Sequence, residues 1–587
     1  MKKSQFLLLF CLCWAGALRA QFTPGTGNIL YVNKQVTGGN HTGNSWANAV
    51  PELAEALKWA NTNKSSWTTA NPLQIWVATG VYKPMYSPAD DNFGNNADRD
   101  NAFLMVSNVR LYGGFDPANG IISLTDKRIL PGSGGEGSVL SGDRGVENDN
   151  TDNAYHVLIA GGGMGVARLD GFTVTGGNAD QDDGVALSVG GGAVRRHFGS
   201  GMFNVNNASP IVTHSSFTRN TALGGGGGMY NYINASPTIS YCTFSENTAD
   251  FGGGGMCNEV AYPVITYSTF WKNTANRGGG IYNHREVALK ATNVLFSDNT
   301  VTNLGGGIFD NSEGSIFTNV TLVNNNGISG LFASGITYWN NSIVWDDAPY
   351  TNAVAHNSLF KDSSNTANGN IDATGLSGTD IFNNFANGDY RLKSGAPAIN
   401  AGNNQLYTDA GGDLNNDQDL AGNPRLAGSA IDIGAYEFSA ALPVLFGPVS
   451  ATIKNGRVLV SWTTETETNN DHFLLQLSPD GVHWKTVQTI QSKATAGNSN
   501  TVLEYNSTIP LTTLSLGFGM LLLGALASTR RRHAFAIAAA ICCALAFSCH
   551  KNTAVEPAGN GKLFVRIVQI DKDGTKQLSK VLQATPE

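Results

Sequence analysis

Acids and bases stand close together at one place in the sequence. Asp182 and Asp183 come shortly before Arg195, Arg196 and His197, and these residue types can supply a general acid, a general base and a cation that steadies developing negative charge. The same mixture in a loop is also the ordinary composition of a solvated surface. A second stretch, Asp413-Leu414-Asn415-Asn416-Asp417-Gln418-Asp419, alternates side-chain oxygens as a calcium loop does, which makes Asp413, Asn415, Asp417 and Asp419 the ligand set for Ca2+. Gln418 occupies the sixth position, where such a loop turns on glycine, and Pro424 the twelfth, where it carries glutamate. An Asx-rich turn without metal is therefore the competing reading. A third set is aromatic: Phe203, Tyr230, Tyr282 and Phe309 recur at similar spacing, and facing outward they would suit stacking on the rings of a polysaccharide or cell-surface glycan. No His or Cys cluster has zinc spacing, and no phosphate-binding glycine motif joins a strand to a helix.

What must position these residues is a repeat. Ser216-Phe217-Thr218-Arg219-Asn220-Thr221 recurs as Thr243-Phe244-Ser245-Glu246-Asn247-Thr248 and Thr269-Phe270-Trp271-Lys272-Asn273-Thr274, and the steps from Phe217 through Phe244, Phe270 and Phe296 to Leu322 are 27, 26, 26 and 26 residues. A second register, Met202-Phe203-Asn204, Met229-Tyr230-Asn231, Met256-Cys257-Asn258, Ile281-Tyr282-Asn283 and Ile308-Phe309-Asp310, keeps step with the first. Such a period, rich in β-branched, aromatic and turn-forming residues and without helical spacing, predicts one coil of a parallel β-helix. Equivalent residues then stack roughly 4.8 Å apart. Phe217, Phe244, Phe270, Phe296 and Leu322 become a core ladder, and Asn220, Asn247, Asn273, Asn299 and Asn325 a structural amide ladder at a bend. Val212, Ile239 and Ile265 lie five residues before the aromatics; five is odd, so a bend must intervene if both positions face inward. In the second register the aromatics alternate with Met and Asn, which predicts an outward stripe if those two point in, against the alternative of an internal or loop-covered stack.

Upstream, Trp46, the apolar stretch Leu53 to Ala60 and Ile75-Trp76-Val77 precede Val109-Arg110-Leu111-Tyr112. This resembles the N-terminal cap and first coils of exported bacterial right-handed parallel β-helix proteins. Downstream, Asp389-Tyr390-Arg391-Leu392, Ser394 to Gly402, Asp419 to Arg425 and Ile431 to Glu437 resemble the choice-of-anchor Q segment that ends many such helices, which implies a surface or envelope protein and no particular reaction. Pectate lyases and polygalacturonases share the β-helix fold, so a polysaccharide lyase or glycoside hydrolase is the alternative to a binding or structural module. For that alternative Asp182, Asp183, Arg195 and His197 are the catalytic set.

Residues 442–507 alternate apolar and polar positions around Trp462, Phe473 and Trp484 and resemble the fibronectin type III-like module of exported Bacteroidetes proteins. Its final hairpin is displaced: an apolar stretch from Leu511 to Ser528 and another from Ala534 to Ser548 flank Arg530-Arg531-Arg532-His533 before strand-like sequence resumes in 561–583. We expect one sandwich interrupted by a membrane hairpin within 508–549, with Cys549 as a lipid-attachment alternative. Lys2 and Lys3, the apolar run from Phe6 and small Ala20 predict a cleaved export signal over 1–20. The domain plan is completed by a cap and first coils over 21–150, repeats over 151–380 and the choice-of-anchor Q-like end over 381–440.

The 587 residues amount to about four domains of roughly 150, a length the elongated repeat absorbs. A net charge of −8 speaks against nucleic acid as a partner, because phosphate binding needs a basic surface. Of the seven cysteines only Cys242 and Cys257 lie in the body between the export signal and the C-terminal apolar region that ends at Cys549, too few for a disulfide scaffold. The sequence thus predicts an all-β chain: a right-handed parallel β-helix, a small β-sandwich and a C-terminal apolar helical hairpin. Its expected role is that of an exported, membrane-anchored surface protein that binds glycan or adheres.

Overall fold

A computed structural model describes residues 22–89, 97–135, 137–147, 149–347, 352–438, 446–467, 470–495, 497, 499, 501–511, 562–571 and 576–586. The export signal over 1–20 and the apolar runs between 512 and 549 lie outside the described residues. The chain divides into two units, residues 1–437 and 438–587.

The first unit is predominantly β, and large parallel sheets run through its repeats. In one sheet, strands Met202–Val205, Met229–Tyr232, Met256–Glu259 and Ile281–His284 pair in register, so that Phe203 lies opposite Tyr230 and Asn204 opposite Asn231. A second parallel sheet carries Ile211–Thr213 and Ser216–Thr218 with their equivalents in neighbouring repeats. The bend demanded by the five-residue spacing sits between these two strands. His214, Tyr241, Tyr267, Asn293, Asn319 and Asn341 occupy it with φ between 46° and 55°, and this left-handed turn resets the alternation so that Val212 and Phe217 both face the core. A second column of left-handed residues, Arg219, Glu246, Lys272, Asp298 and Asn324, turns the chain out of the following strand. Such residues cost about 1–2 kcal/mol each, and the buried asparagine that follows offsets it.

Each of those asparagines is shared between repeats. The Asn247 Oδ1 accepts both the backbone N–H (3.1 Å) and the Nδ2 (3.0 Å) of Asn220, while its own Nδ2 donates to the carbonyl of Phe217 at 2.8 Å. The pattern passes through Asn273 and Asn299 to Asn325. Asp346 ends it, accepting the N–H of Asn325 at 3.0 Å and its Nδ2 at 2.7 Å. Burial pushes the Asp346 carboxyl up to about 7, against the pull of those donors. Beside the ladder, Phe217, Phe244, Phe270 and Phe296 stack with centroids 4.7–4.9 Å apart and planes within 13°. Each is fully buried, worth about 2–3 kcal/mol of apolar transfer. Asn204, Asn231, Asn258 and Asn283 form a second buried ladder that ends at Asp310.

At the N-terminal side the helix Leu53–Thr62 packs Leu53, Ala56, Leu57 and Ala60 into the same core. At the other side residues 398–437 are tied along the first column of bends. Asn341 donates to Asn403 O and Asn319 to Asp432 O, both at 2.9 Å, and the Tyr407 hydroxyl accepts from Asn293 at 2.9 Å. Arg425, wholly buried, donates to the carbonyls of Asp432 and Gly434; burial pushes nearby Glu437 up to about 9 in spite of it.

The second unit packs two sheets around Trp462, Phe473, Tyr505 and Ile567. One holds Leu503–Pro510, Arg457–Thr464, Phe446–Lys454 and Thr585–Pro586; in the other, Asn470–Ser478 lies between Lys485–Gln491 and Phe564–Asp571. The chain beyond 561 therefore supplies a central strand to the sheet begun near 470. Among the described residues no helix is long and apolar enough to cross a membrane.

Candidate functional site

The aromatic stripe is the first correction. Met202 and Asn204 point into the core and Phe203, Tyr230, Tyr282 and Phe309 point away from it, yet these four rings are only 1, 2, 3 and 7 % exposed. The glycine bends explain why. Gly199 and Gly252 come so close that an added Cβ would lie 2.9 Å from Tyr230 and Tyr282 respectively, and the loops they belong to bring Phe198 onto Tyr230 (4.7 Å, stacked) and Phe251 against Tyr282 (5.6 Å, edge-on). The Tyr230 hydroxyl donates to Glu259 at 2.6 Å, and burial raises its pKa well above the usual tyrosine range. Cys257, in the same column, and Cys242 are buried free thiols, raised by the same desolvation and so poor nucleophiles. What remains open on this face is a hollow of about 170 Å³ bounded by Arg195, Phe198, Phe203, Tyr230, Tyr232 and Glu259.

Arg195 is thus brought to Phe203 and Tyr230, and not to the acids near it in sequence. Those acids serve a different arginine: Arg196 Nη1 meets Asp183 at 2.6 Å while its Nε and Nη2 clamp Asp100. Backbone N–H donation from Val185, the burial that opposes it and the Arg196 pair leave Asp183 below the usual carboxylate range. Asp182 faces His197 at 3.4 Å from an exposed position, and burial lowers the imidazole's pKa. Asp182, Asp183 and Arg195 all act electrostatically on His197, but Asp183 is committed to Arg196, and that pair ties together the two ends of the hairpin Ala186–Val189 and Gly192–Arg195.

The calcium set does not converge. Asp413 accepts from Asn415 N and Asn416 Nδ2. Asp417 accepts from Asp413 N at 2.7 Å and the Tyr407 hydroxyl at 2.8 Å. Asp419 takes the N–H groups of Ala421, Asn423 and Glu437. These oxygens are committed to turns, and among the described residues no group of three or more His, Cys, Asp or Glu is placed to hold a metal ion.

A hollow of about 510 Å³ lies on the outer side of the Phe270 strand. Because Phe270 faces the core, Thr269 and Trp271 face out from Val264–Trp271, as Leu295 and Ser297 do from Lys290–Ser297. The turn Phe385–Gly388 and Tyr390, from the hairpin Phe382–Asn384 and Asp389–Leu392, form the opposite wall. Lys272, Asp298 and Asn324, three of the left-handed bend residues, line one rim. The Asp298 carboxylate accepts from the Tyr390 hydroxyl (3.0 Å) and from Asn324 Nδ2 (2.5 Å), and the Lys272 ammonium lies 4.3 Å from the Trp271 ring centroid. Burial, followed by the charge of Asp298, raises the Tyr390 pKa, which keeps the hydroxyl a donor at neutral pH. The result is a trough lined by half-buried Trp271 and Phe385 and by Tyr390, which is only 3 % exposed, with amide groups at the edge and one cation balancing one anion. Trp271 gives the only sequence signal: it stands in a column where neighbouring repeats carry Thr218, Ser245 and Ser297.

No family model, no curated protein and no solved structure matches the chain, so the geometry of the cleft stands as its functional evidence.

Proposed function

We propose that the chain is an exported, membrane-anchored surface protein whose first unit, a right-handed parallel β-helix closed by a choice-of-anchor Q-like segment, binds glycan in the Trp271 cleft. The observation that carries the reading is the cleft's composition. Sugars present C–H faces that pack on aromatic rings and hydroxyls that need donors and acceptors close by; half-buried Trp271 and Phe385 supply the first, and Asp298, Asn324 and Asn387 the second. Hydrolysis of a glycosidic bond generally takes two carboxylates flanking it, and Asp298 is the single carboxylate lining this cleft, which favours binding over a lyase or hydrolase. The second unit we take as a fibronectin type III-like sandwich, supported by its two-sheet strand order. The membrane anchor over 511–549 rests on the apolar runs and the arginines between them.

A glycan array probed with the full chain, run beside a polysaccharide-degradation screen, tests this. Retention of particular glycans without turnover, lost in Trp271→Ala, is the expected result. Turnover of any polysaccharide, or retention unchanged in the variant, contradicts it.

A further inference from the structure

The cleft does not end at Trp271. On the strands stacked before it, Thr173, Ser216, Thr243 and Thr269 stand opposite one another in register, and so do Thr175, Thr218, Ser245 and Trp271. The residue between the two rows in each strand, Val174, Phe217, Phe244 or Phe270, is in the core. Both rows therefore face outward, with one hydroxyl-bearing residue per coil at roughly 4.8 Å steps. Thr243 is exposed, Thr173, Thr175, Ser216, Thr218 and Thr269 are half-buried, and Ser245 is buried with its hydroxyl donating to Thr218 Oγ1 at 3.2 Å.

The edges of this strip carry information about charge. Along one side run the bend residues Arg219, Glu246, Lys272 and Asp298, alternating in sign, with Arg219 and Glu246 paired at 3.0 Å. Along the other side His214, Tyr241 and Tyr267 stack with centroids 4.8–5.0 Å apart and planes within 5°. Those four charges sum to zero, so along this edge a polyanion would meet as many carboxylates as cations.

The strip is closed at one end only. Past the cleft the equivalent positions Thr321 and Val323 are buried, and Ala435 N donates to the Thr321 hydroxyl at 3.0 Å. Toward the other end Thr243 is exposed and Ser216 half-buried.

We infer that the ligand is an extended, uncharged polysaccharide chain that lies across the strands on the two hydroxyl rows, with its end in the Trp271 cleft. The inference rests on the glycan reading of that cleft and adds the polymer's class, direction and length requirement. Calorimetric titration of the full chain tests it, with gluco-, manno- and xylo-oligosaccharides of two to six residues and oligogalacturonides of equal length as the charged counterpart. Affinity for the neutral series is expected to rise at least tenfold from dimer to hexamer and to exceed that for the charged series. Thr243→Val, which keeps the β-branched shape and removes the hydroxyl, is expected to weaken the hexamer several-fold and leave the dimer unchanged. Length-independent affinity abolished by Trp271→Ala would overturn the strip and leave the cleft standing, and so would preference for the oligogalacturonides. Failure of every oligosaccharide to bind, or indifference to Trp271→Ala, would remove the cleft reading and this inference together.

Discussion

The two outward faces of the repeat follow one alternation and reach opposite ends. On the strands of Phe203, Tyr230 and Tyr282 each outward ring is roofed by a glycine bend and a neighbouring aromatic, and burial joins the stripe to the core of the first unit. On the strands of Thr243, Thr269 and Ser297 the outward residues are hydroxyl-bearing apart from Trp271 and Leu295, and the hairpin around Phe385 and Tyr390 stands off and leaves a trough. Periodicity decides which way a side chain points; whether it meets solvent is decided by what the intervening loops carry.

The contrast is sharpest in what each face loses on truncation. Tyr282→Ala, on the roofed face, should destabilise the first unit by about 3–5 kcal/mol, as large-to-small core changes do, whereas Trp271→Ala should cost less than about 1 kcal/mol; denaturant unfolding of both variants measures the difference. Equal losses would dissolve the distinction. The ladder between the faces comes next. Asn273→Leu leaves the N–H and Nδ2 of Asn247 without their acceptor, an expected loss of about 1–3 kcal/mol, read as a lower midpoint.

Asp346→Asn should act in the other direction, by about 1–3 kcal/mol above neutral pH. Burial raises the folded-state pKa of Asp346 to about 7, well above the ordinary aspartate range, so the unfolded chain releases this proton at lower pH than the folded one. The wild type should therefore lose stability as pH rises from about 4 to 7, and the variant, whose amide can accept both Asn325 donors as the other rungs do, should lose less. The variant's advantage, measured by thermal melts across that range, should vanish near pH 4; a wild type that gains stability relative to the variant as pH rises would refute the assignment. The smallest effect concerns Ca2+. With the oxygens of Asp413, Asp417 and Asp419 held by turn donors, Ca2+ should leave the melting temperature where Mg2+ leaves it. A calcium-specific rise abolished by Asp417→Ala would reinstate the metal loop.

The parallel repeat was legible because strands of successive repeats pair in register, so each core position writes the same residue type into the sequence every 26 or 27 residues, from Phe217 to Phe296. The bend before Phe217 was legible from parity alone, although His214, Tyr241 and Tyr267 are poor sequence markers of left-handed backbone. The roof over Tyr230 was not legible, because it depends on how near Gly199 and Phe198 come, which no spacing encodes. The cleft was hidden for a different reason. Its walls lie more than a hundred residues apart in sequence, Trp271 on a repeat strand and Phe385 on a hairpin outside the repeat, and the residue that marks it departs from the period that drew attention to everything else. Arg195 and Asp183 misled by proximity: two arginines and two acids in one insertion leave the pairing open, and Arg196 takes the acid.

The central claim, that the open face and not the roofed one meets glycan, is tested most directly by a crystal structure of the protein soaked with an oligosaccharide retained on the array. A pyranose packed on Trp271 beneath Phe385–Gly388, with hydroxyls on Asp298 or Asn324, is the predicted result. Sugar bound instead in the hollow beside Arg195 and Tyr232, with the Trp271 cleft empty, would contradict it.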